Sequence, residues 1–475
     1  MAARAGLPLI EEICFLSVSP AGWMAPNTRL IDDFIQALGS AWLDEICLKI
    51  QQNKEDTSMK KMCYIVSGIA LALASAAHAQ TAQGWLNQKT MTGNWGGGRL
   101  RLENAGITFN GGYVGDFADA AAGGVRTGYG MASQFYGNAK LDTDKLFALP
   151  GGTITIGFNQ RVGRSTTADY VGNKLSVQEA YGAGETLRLT ELSYEQIFPG
   201  NFVDAKIGFY PMGNDFASTP LGCDFENVGF CAHPQNLPAS TSGWADNPQA
   251  RWGGRVKLMP AKDIYVETGV YEANPTYTDT GNGLKVSTSG GTGAVFPVEF
   301  GYTPSLGGLP GHYKVGAYWD TSNAADVTNS HEIDHGRYGF YALVDQMIMS
   351  FDGTSKRGLI AFGQVSYSDP QTSVFQGTWL GALIALGPFA SRPADYANIG
   401  YVRAVVNQRK LDREEAAGLT DLSTGEGILE AGYGIQATPW LLVHPNVQYV
   451  MDPGTFSYKH IKNAWVFGLE TKLTF

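Results

Sequence analysis

The sequence predicts an all-β chain: a 16-stranded antiparallel transmembrane β-barrel with short turns at one end and long loops at the other. Three observations predict it. Apolar and polar residues alternate with a period of two along segment after segment, as strands with two unlike faces demand. The connections are long and short by turns, which is the outer-membrane barrel pattern. Past the N-terminal region no stretch is apolar for the ~18 residues a helical span needs, and a closed barrel is the other way to satisfy backbone groups inside a bilayer.

The segments lie near 107–117, 131–142, 152–162, 186–197, 202–210, 249–259, 262–271, 294–302, 312–320, 337–348, 357–368, 374–386, 396–407, 427–437, 440–451 and 463–475. In the third, Ile154, Ile156 and Phe158 share one face, while Thr155, Gly157, Asn159 and Arg161 share the other. In the fifth, Val203, Ala205, Ile207 and Phe209 oppose Asp204, Lys206 and Gly208. In the last, Trp465, Phe467, Leu469, Leu473 and Phe475 oppose Gly468, Glu470, Lys472 and Thr474. The polar face repeatedly holds Arg, Lys, Glu, Gln and Gly, which suits a wet lumen, and the apolar face suits lipid. Trp440 and Trp465 fall at or near strand ends, where an aromatic girdle belongs.

Odd-numbered connections are mostly long and polar: 163–185, 211–248, 272–293, 321–336 and 408–426. Even-numbered ones are mostly short, with FPGN, PAKD and Thr438-Pro439 the tightest. An even strand count puts both termini in the periplasm. So many strands enclose a water-filled channel and not a packed interior.

The N-terminal region carries an export signal. Met59, Lys60 and Lys61 form a basic start, CYIVSGIALALASA an apolar run, and Ala77-His78-Ala79 a small-x-small cleavage site. Residues 59–79 are expected to be the signal peptide, with cleavage before Gln80. Residues 1–58 then read most simply as an upstream extension that is not part of the protein; the alternative is a genuine extension. Residues 80–106 are expected to be a periplasmic segment and 107–475 the barrel. Of five cysteines, Cys223 and Cys231 remain after cleavage, and an oxidising compartment favours their disulfide. A net charge of −10 and a pI near 5.2 argue against nucleic acid.

One motif points elsewhere. His331, Glu332 and His335 spell H-E-x-x-H, which on a helix would hold zinc for peptide hydrolysis. Here it is flanked by DTSNAADVTNS and Gly336, loop and turn residues with no helical pattern and no separated third ligand. No enzyme, metal or cofactor is expected. An outer-membrane hydrolase would need a Ser/His pair in phase on the outer face, and none is apparent.

The chain from Thr92 to Phe475 resembles the carbohydrate-selective porins of the OprB type. The resemblance rests on TGNWGGGRLRLENAGITF, DYVGN, LRLTELSYEQIFPG, KIGFYPMGNDF, DIYVETGVYEANP, GGLPGHYKVGAYWDTS, YGFYALVDQM, TPWLLVHPNVQYVMDPG and AWVFGLETKLTF, in that order. It implies a porin passing glucose and other small sugars, mono- and oligosaccharides, by diffusion across the outer membrane of a Gram-negative bacterium, among lipid and lipopolysaccharide. It also implies that the terminal Phe475 addresses the chain to the barrel-assembly machinery. Monomer and homotrimer both remain open. A channel of the same shape with a general or anion preference is the alternative.

Sugars present hydroxyls, which a planar guanidinium or a carboxylate can bridge. Strand parity places Arg161, Arg255 and Lys257 inward, with Arg251 in phase, then Glu267 and Tyr265, Tyr341 and Asp345, and Tyr401 and Arg403. His444, Asn446 and Gln448 line a later strand. LRLTELSYEQ is ambiguous in register, and Glu191 is set inward by the resemblance. By resemblance too, the third external loop folds inward, with Asp215, Asp224, Glu226 and Trp244 shaping the constriction.

Overall fold

The computed structural model describes residues 82–231 and 233–475; the segment 1–58 and the export signal 59–79 lie outside the described residues. The strands are β1 (Ile107–Gly124), β2 (Gly128–Asp142), β3 (Gly152–Gly163), β4 (Leu187–Ile197), β5 (Val203–Tyr210), β6 (Arg251–Ala261), β7 (Ile264–Ala273), β8 (Gly293–Tyr302), β9 (Ser305–Leu306), β10 (Leu309–Ala325), β11 (Ile333–Ser350), β12 (Gly358–Ser368), β13 (Phe375–Leu386), β14 (Tyr396–Val406), β15 (Gly425–Thr438), β16 (Leu441–Met451) and β17 (Lys462–Thr474). The two-residue β9 pairs only with β10 inside a turn, and β8 pairs directly with β10. The other sixteen form the wall.

All pairings are antiparallel, and the wall closes on itself. β1 pairs with β17 from Gly112 opposite Thr474 to Phe117 opposite Leu469, and the Phe475 backbone N–H donates to the Gly111 carbonyl (2.8 Å). Closure removes every wall edge, so the backbone groups of the wall find partners without water.

Period-two alternation sorts the residues. Ile207 (66% exposed), Val315, Phe340, Val365 and Ile399 stand on the outer face, open to surrounding lipid. Asp116, Asn159, Glu267, Glu299, Glu430 and Glu470 stand on the inner face and are buried. Trp252, Trp319, Trp379 and Trp465 face outward near the long-loop rim, where amphipathic rings favour the membrane interface. Trp440 departs from the expected girdle. It is buried at the opposite rim, its ring 4.5 Å from that of Trp85.

The N-terminal segment is bound to that short-turn rim. Met91 N–H donates to the Thr474 carbonyl (2.8 Å). The Arg99 Nη2 donates to the carbonyls of Phe109 (2.8 Å) and Phe475 (2.9 Å). The segment around Met91 and Arg99 and the last residues of β17 therefore meet at the rim opposite the long loops.

The inner face is not polar all round. On β12 to β15 it carries Ile360, Phe362, Leu380, Ile384, Val402 and Ile428, all buried. These need a cover, and an external loop supplies it.

Candidate functional site

Two long loops turn into the lumen. Loop L2 spans 164–186 and loop L3 spans 211–250. L3 places Phe225 and Phe230, stacked with centroids 4.2 Å apart, on the apolar inner patch. Burying each ring is worth ~1.5–3 kcal/mol. Gly400 makes the room: a Cβ there would lie 2.6 Å from the Phe230 ring. On the other side L3 packs Met212, Phe216, Leu237 and Trp244 among Tyr271, Tyr318 and Tyr341. Wall side chains fasten the loop's backbone between these anchors. Glu430 accepts from the N–H groups of Glu226 (2.8 Å) and Asn227 (3.0 Å). Glu299 accepts from Ala217 N–H (2.8 Å), and Lys314 donates to the Ser218 carbonyl (2.7 Å). Cys223 and Cys231 are joined by a disulfide that closes a small ring within L3.

L2 is fastened to β1 and β15, beside the part of L3 that carries Phe225 and Phe230. Ala180 N–H donates to Asp116 (2.7 Å), Gln178 Nε2 donates to the Asp116 carbonyl (3.0 Å), and Lys174 N–H donates to Glu426 (2.5 Å). Lys472 bridges the two loops. Its Nζ sits 3.2 Å from Glu179 of L2 and 3.0 Å from Glu470, and it donates to the Cys223 carbonyl of L3 (2.6 Å).

What stays open lies between L2, L3 and the walls of β1 to β4. A cavity of ≈ 700 Å³ is lined by Gln134, Tyr136, Arg161, Glu179, Asp246, Arg251 and Lys472, among others. A second of ≈ 240 Å³ shares Tyr136, Asn214 and Asn247 with it and adds Asn138, Thr190 and Glu191. The lining mixes guanidinium, carboxyl, amide and phenol groups. Burial pushes the Glu179 carboxyl up to about 7, against the pull of Lys472, and pushes Asp224 up to about 6. Burial also raises Asp215 above the usual carboxylate range.

The residues singled out in the sequence fall into four groups. Arg161, Glu191 and Arg251 line the cavities, with Trp244 and the two cysteines. Glu191 faces inward because β4 carries a bulge. Gly157 pairs with Glu191 while Phe158 pairs with Leu189, which leaves Thr190 as the extra residue. That bulge is the reason the segment could not be phased from alternation.

A second group faces inward but is tied up in struts. Arg255 is held by Glu195 (2.5 Å), Asp204 (2.9 Å) and Asp215 (3.4 Å). Lys257 pairs with Glu267 (3.6 Å), and Asp345 with His312 (2.7 Å). Asp224 and Glu226 form a third group. They sit on L3 but against the wall, where Asn398 donates to the Asp224 carbonyl (2.5 Å) and Asn446 to Glu226 (2.5 Å).

The fourth group corrects the sequence reading. Tyr401 and Arg403 lie on the outer face, in phase with exposed Ile399, and the Tyr401 ring is 5.2 Å from Trp379. Their inward neighbours are apolar Val402 and Ala404, which L3 covers, so the polar side of β14 is not its lumen side. The H-E-x-x-H stretch also differs. His335 lies within β11, its Nδ1 2.8 Å from Asn323 Oδ1, and not in an extended loop. Among the described residues the one cluster of three possible metal ligands is Glu179 with Cys223 and Cys231, whose sulfurs are spent in the disulfide.

Sequence reasoning missed the infolded L2 and its contacts: Glu179, Gln134, Tyr136 and the bridging Lys472. Gln134 and Lys472 sit at inward parity on strands already recognised, so that signal was present. Glu179 lies in a loop, and nothing local distinguishes a loop that folds in from one that stays out.

Comparison with known proteins decides the family. A model of the carbohydrate-selective porin family, OprB, matches residues 126–475. The chain belongs to the OprB family of carbohydrate-selective porins. The porin is 34% identical over 440 residues to Porin B of Pseudomonas aeruginosa, covering 86% of this chain and 95% of that protein. It is 31% identical over 437 residues to the putative porin QuiX of Acinetobacter baylyi, covering 86% and 97%. Its structure resembles the high-pH structure of Pseudomonas putida OprB with a TM-score of 0.78 and 32% identity, covering 82% of this chain and 99% of that one. This porin is thus a non-enzymatic channel of the Gram-negative outer membrane.

Proposed function

We propose that glucose and other small sugars diffuse passively through the lumen, and that the narrowing between L2, L3 and β1 to β4 is where they are selected. The observation that carries this reading is the composition of the ≈ 700 Å³ cavity, which Arg161, Gln134 and Tyr136 line together with Gln235, Asp246 and Arg251. Such a set offers forked donors, acceptors and an aromatic face within one passage, which is what a polyol needs and a bare ion does not. Arg251 gains rigidity from the Ser242 carbonyl (2.6 Å) and from the Tyr277 ring beneath it (5.4 Å). Glu191, paired with Lys206 (2.9 Å), continues the polar track into the second cavity. Lys257, Glu267 and Asp345 are assigned to ion-paired struts of the lumen wall, and Arg255 to bracing L3.

The reading extends to the rest of the chain. Residues 59–79 would export it, residues 1–58 would be absent from the mature protein, and 80–106 would lie in the periplasm. Phe475 would present its C-terminal aromatic to the assembly machinery before closure buries its backbone. The apolar outer face would meet lipid and, at the long-loop rim, lipopolysaccharide, in a monomer or a homotrimer. The test is single-channel recording in planar bilayers. Glucose and maltose should reduce the ion current, and phosphate at equal concentration should not. Block by phosphate with indifference to sugars would establish a general or anion-preferring pore instead.

A further inference from the structure

The charges lining the main cavity do not balance. Arg161, Lys174, Arg251 and Lys472 face Glu179 and Asp246. Glu179 is already paired with Lys472. Asp246 lies 3.5 Å from His233 and accepts from Asn247 N–H (2.8 Å). Neither acid is ion-paired with Arg161 or Arg251. Among the described residues those two guanidiniums form no ion pair at all.

Their hydrogen bonds show which atoms remain free. Arg161 Nε donates to Gln134 Oε1 (3.1 Å) and Nη1 to the Tyr181 carbonyl (3.3 Å). Gln134 is itself fixed by Asn159 Nδ2 (3.1 Å). Arg251 Nε donates to the Ser242 carbonyl and Nη1 to the Ala250 carbonyl (2.8 Å). In each side chain two nitrogens are anchored on neutral acceptors, and Nη2 has no protein partner among the described residues. The protein supplies positions for two cations and leaves their charge uncompensated. A buried cation without a counter-ion is costly, and it favours an anion that can enter.

We infer that the cavity is a binding site for polyhydroxylated carboxylates, sugar acids of the aldonate and uronate kind, in addition to neutral sugars. The free Nη2 of Arg161 takes the carboxylate, with Arg251 contributing from the same cavity lining. Tyr136, Asn214, Asn247 and Gln235 take the hydroxyls. A simple inorganic anion uses only the first half of this set, and a neutral sugar offers Arg161 a hydroxyl where a sugar acid offers a carboxylate. The inference rests on the reading of this passage as the sugar-selecting one.

The experiment compares gluconate with sorbitol, the same carbon skeleton without the charge, as blockers of single-channel current at low salt, where screening is weak. Glucose and acetate run beside them. Gluconate should block at a concentration about ten-fold lower than sorbitol, the gain of one charge-assisted contact. It should also block more strongly than acetate. Arg161→Gln should erase the gluconate advantage and Arg161→Lys should restore part of it. The migration of folded and heated protein on a gel establishes that each variant forms the barrel. Equal block by gluconate and sorbitol in the wild type overturns the inference while leaving the sugar reading in place. An advantage that survives Arg161→Gln overturns it too. If glucose and sorbitol fail to block while acetate and gluconate do so equally, the sugar reading itself falls.

Discussion

Arg255 touches three carboxylates, and that sets what its loss does. Removing one member of a buried, hydrogen-bonded charge group leaves the others uncompensated, at a cost on the order of 3–5 kcal/mol. Arg255→Ala removes the guanidinium that bridges Asp204, Asp215 and the more exposed Glu195, leaving only Lys206 and Lys257 acting on Asp215. Urea unfolding in detergent micelles should show a loss of that order. Arg403 makes the contrast. Among the described residues its guanidinium donates only to Thr424 (3.0 Å), on the outer face, so Arg403→Ala should leave sugar block of the channel unchanged. A change of more than two-fold would put Arg403 back in the lumen. Arg161 and Arg403 look alike in the sequence, since each sits in an alternating strand. They differ in what the opposite face meets: lipid behind Arg161, and the covering loop L3 behind Arg403. That difference is set by residues Phe225 and Phe230, far away in the chain, so parity alone could not reveal it.

At the scale of elements, the wall strands were legible because each carries its own period-two signal, and the long and short connections gave their polarity. β4 was the exception, since the bulge at Thr190 breaks the period inside one strand. The loops were not legible. L2 reaches the lumen through Gln178 and Ala180 bonding to Asp116, contacts more than sixty residues apart that leave no local pattern. Their titration gives a prediction. Burial lifts the Glu179 carboxyl from its ordinary 4.5 to about 7, so the docked loop binds the proton more tightly than the undocked one. The stabilisation of docking is then complete below the ordinary value and is lost as pH rises to about 7. Single-channel conductance and its noise should rise between about pH 5 and about pH 8, and Glu179→Gln should flatten that rise. A conductance that falls over the same range would contradict the sign. The disulfide adds a second constraint. A ring of this size restrains the unlinked loop by ~2–3 kcal/mol in the chain-entropy picture. Cys223→Ser should therefore leave the barrel wall intact and raise current noise, because the wall anchors at Glu430 and Glu299 remain.

Taken whole, the molecule is a closed sheet that sorts its environment by parity. Its outside is apolar enough for lipid, and its inside is partly filled by two loops that leave polar cavities against the wall. Barrel closure accounts for a channel of this family, and on the proposed function the two infolded loops do the selecting. The direct test is the rate of swelling of liposomes carrying the purified protein across a sugar series. Swelling should be fast for hexoses and should decline with size to the oligosaccharides, and Arg161→Ala should alter the hexose rates without abolishing passage. Liposomes that do not swell in any sugar, or that swell at rates indifferent to Arg161→Ala, would contradict the claim that this passage selects what crosses.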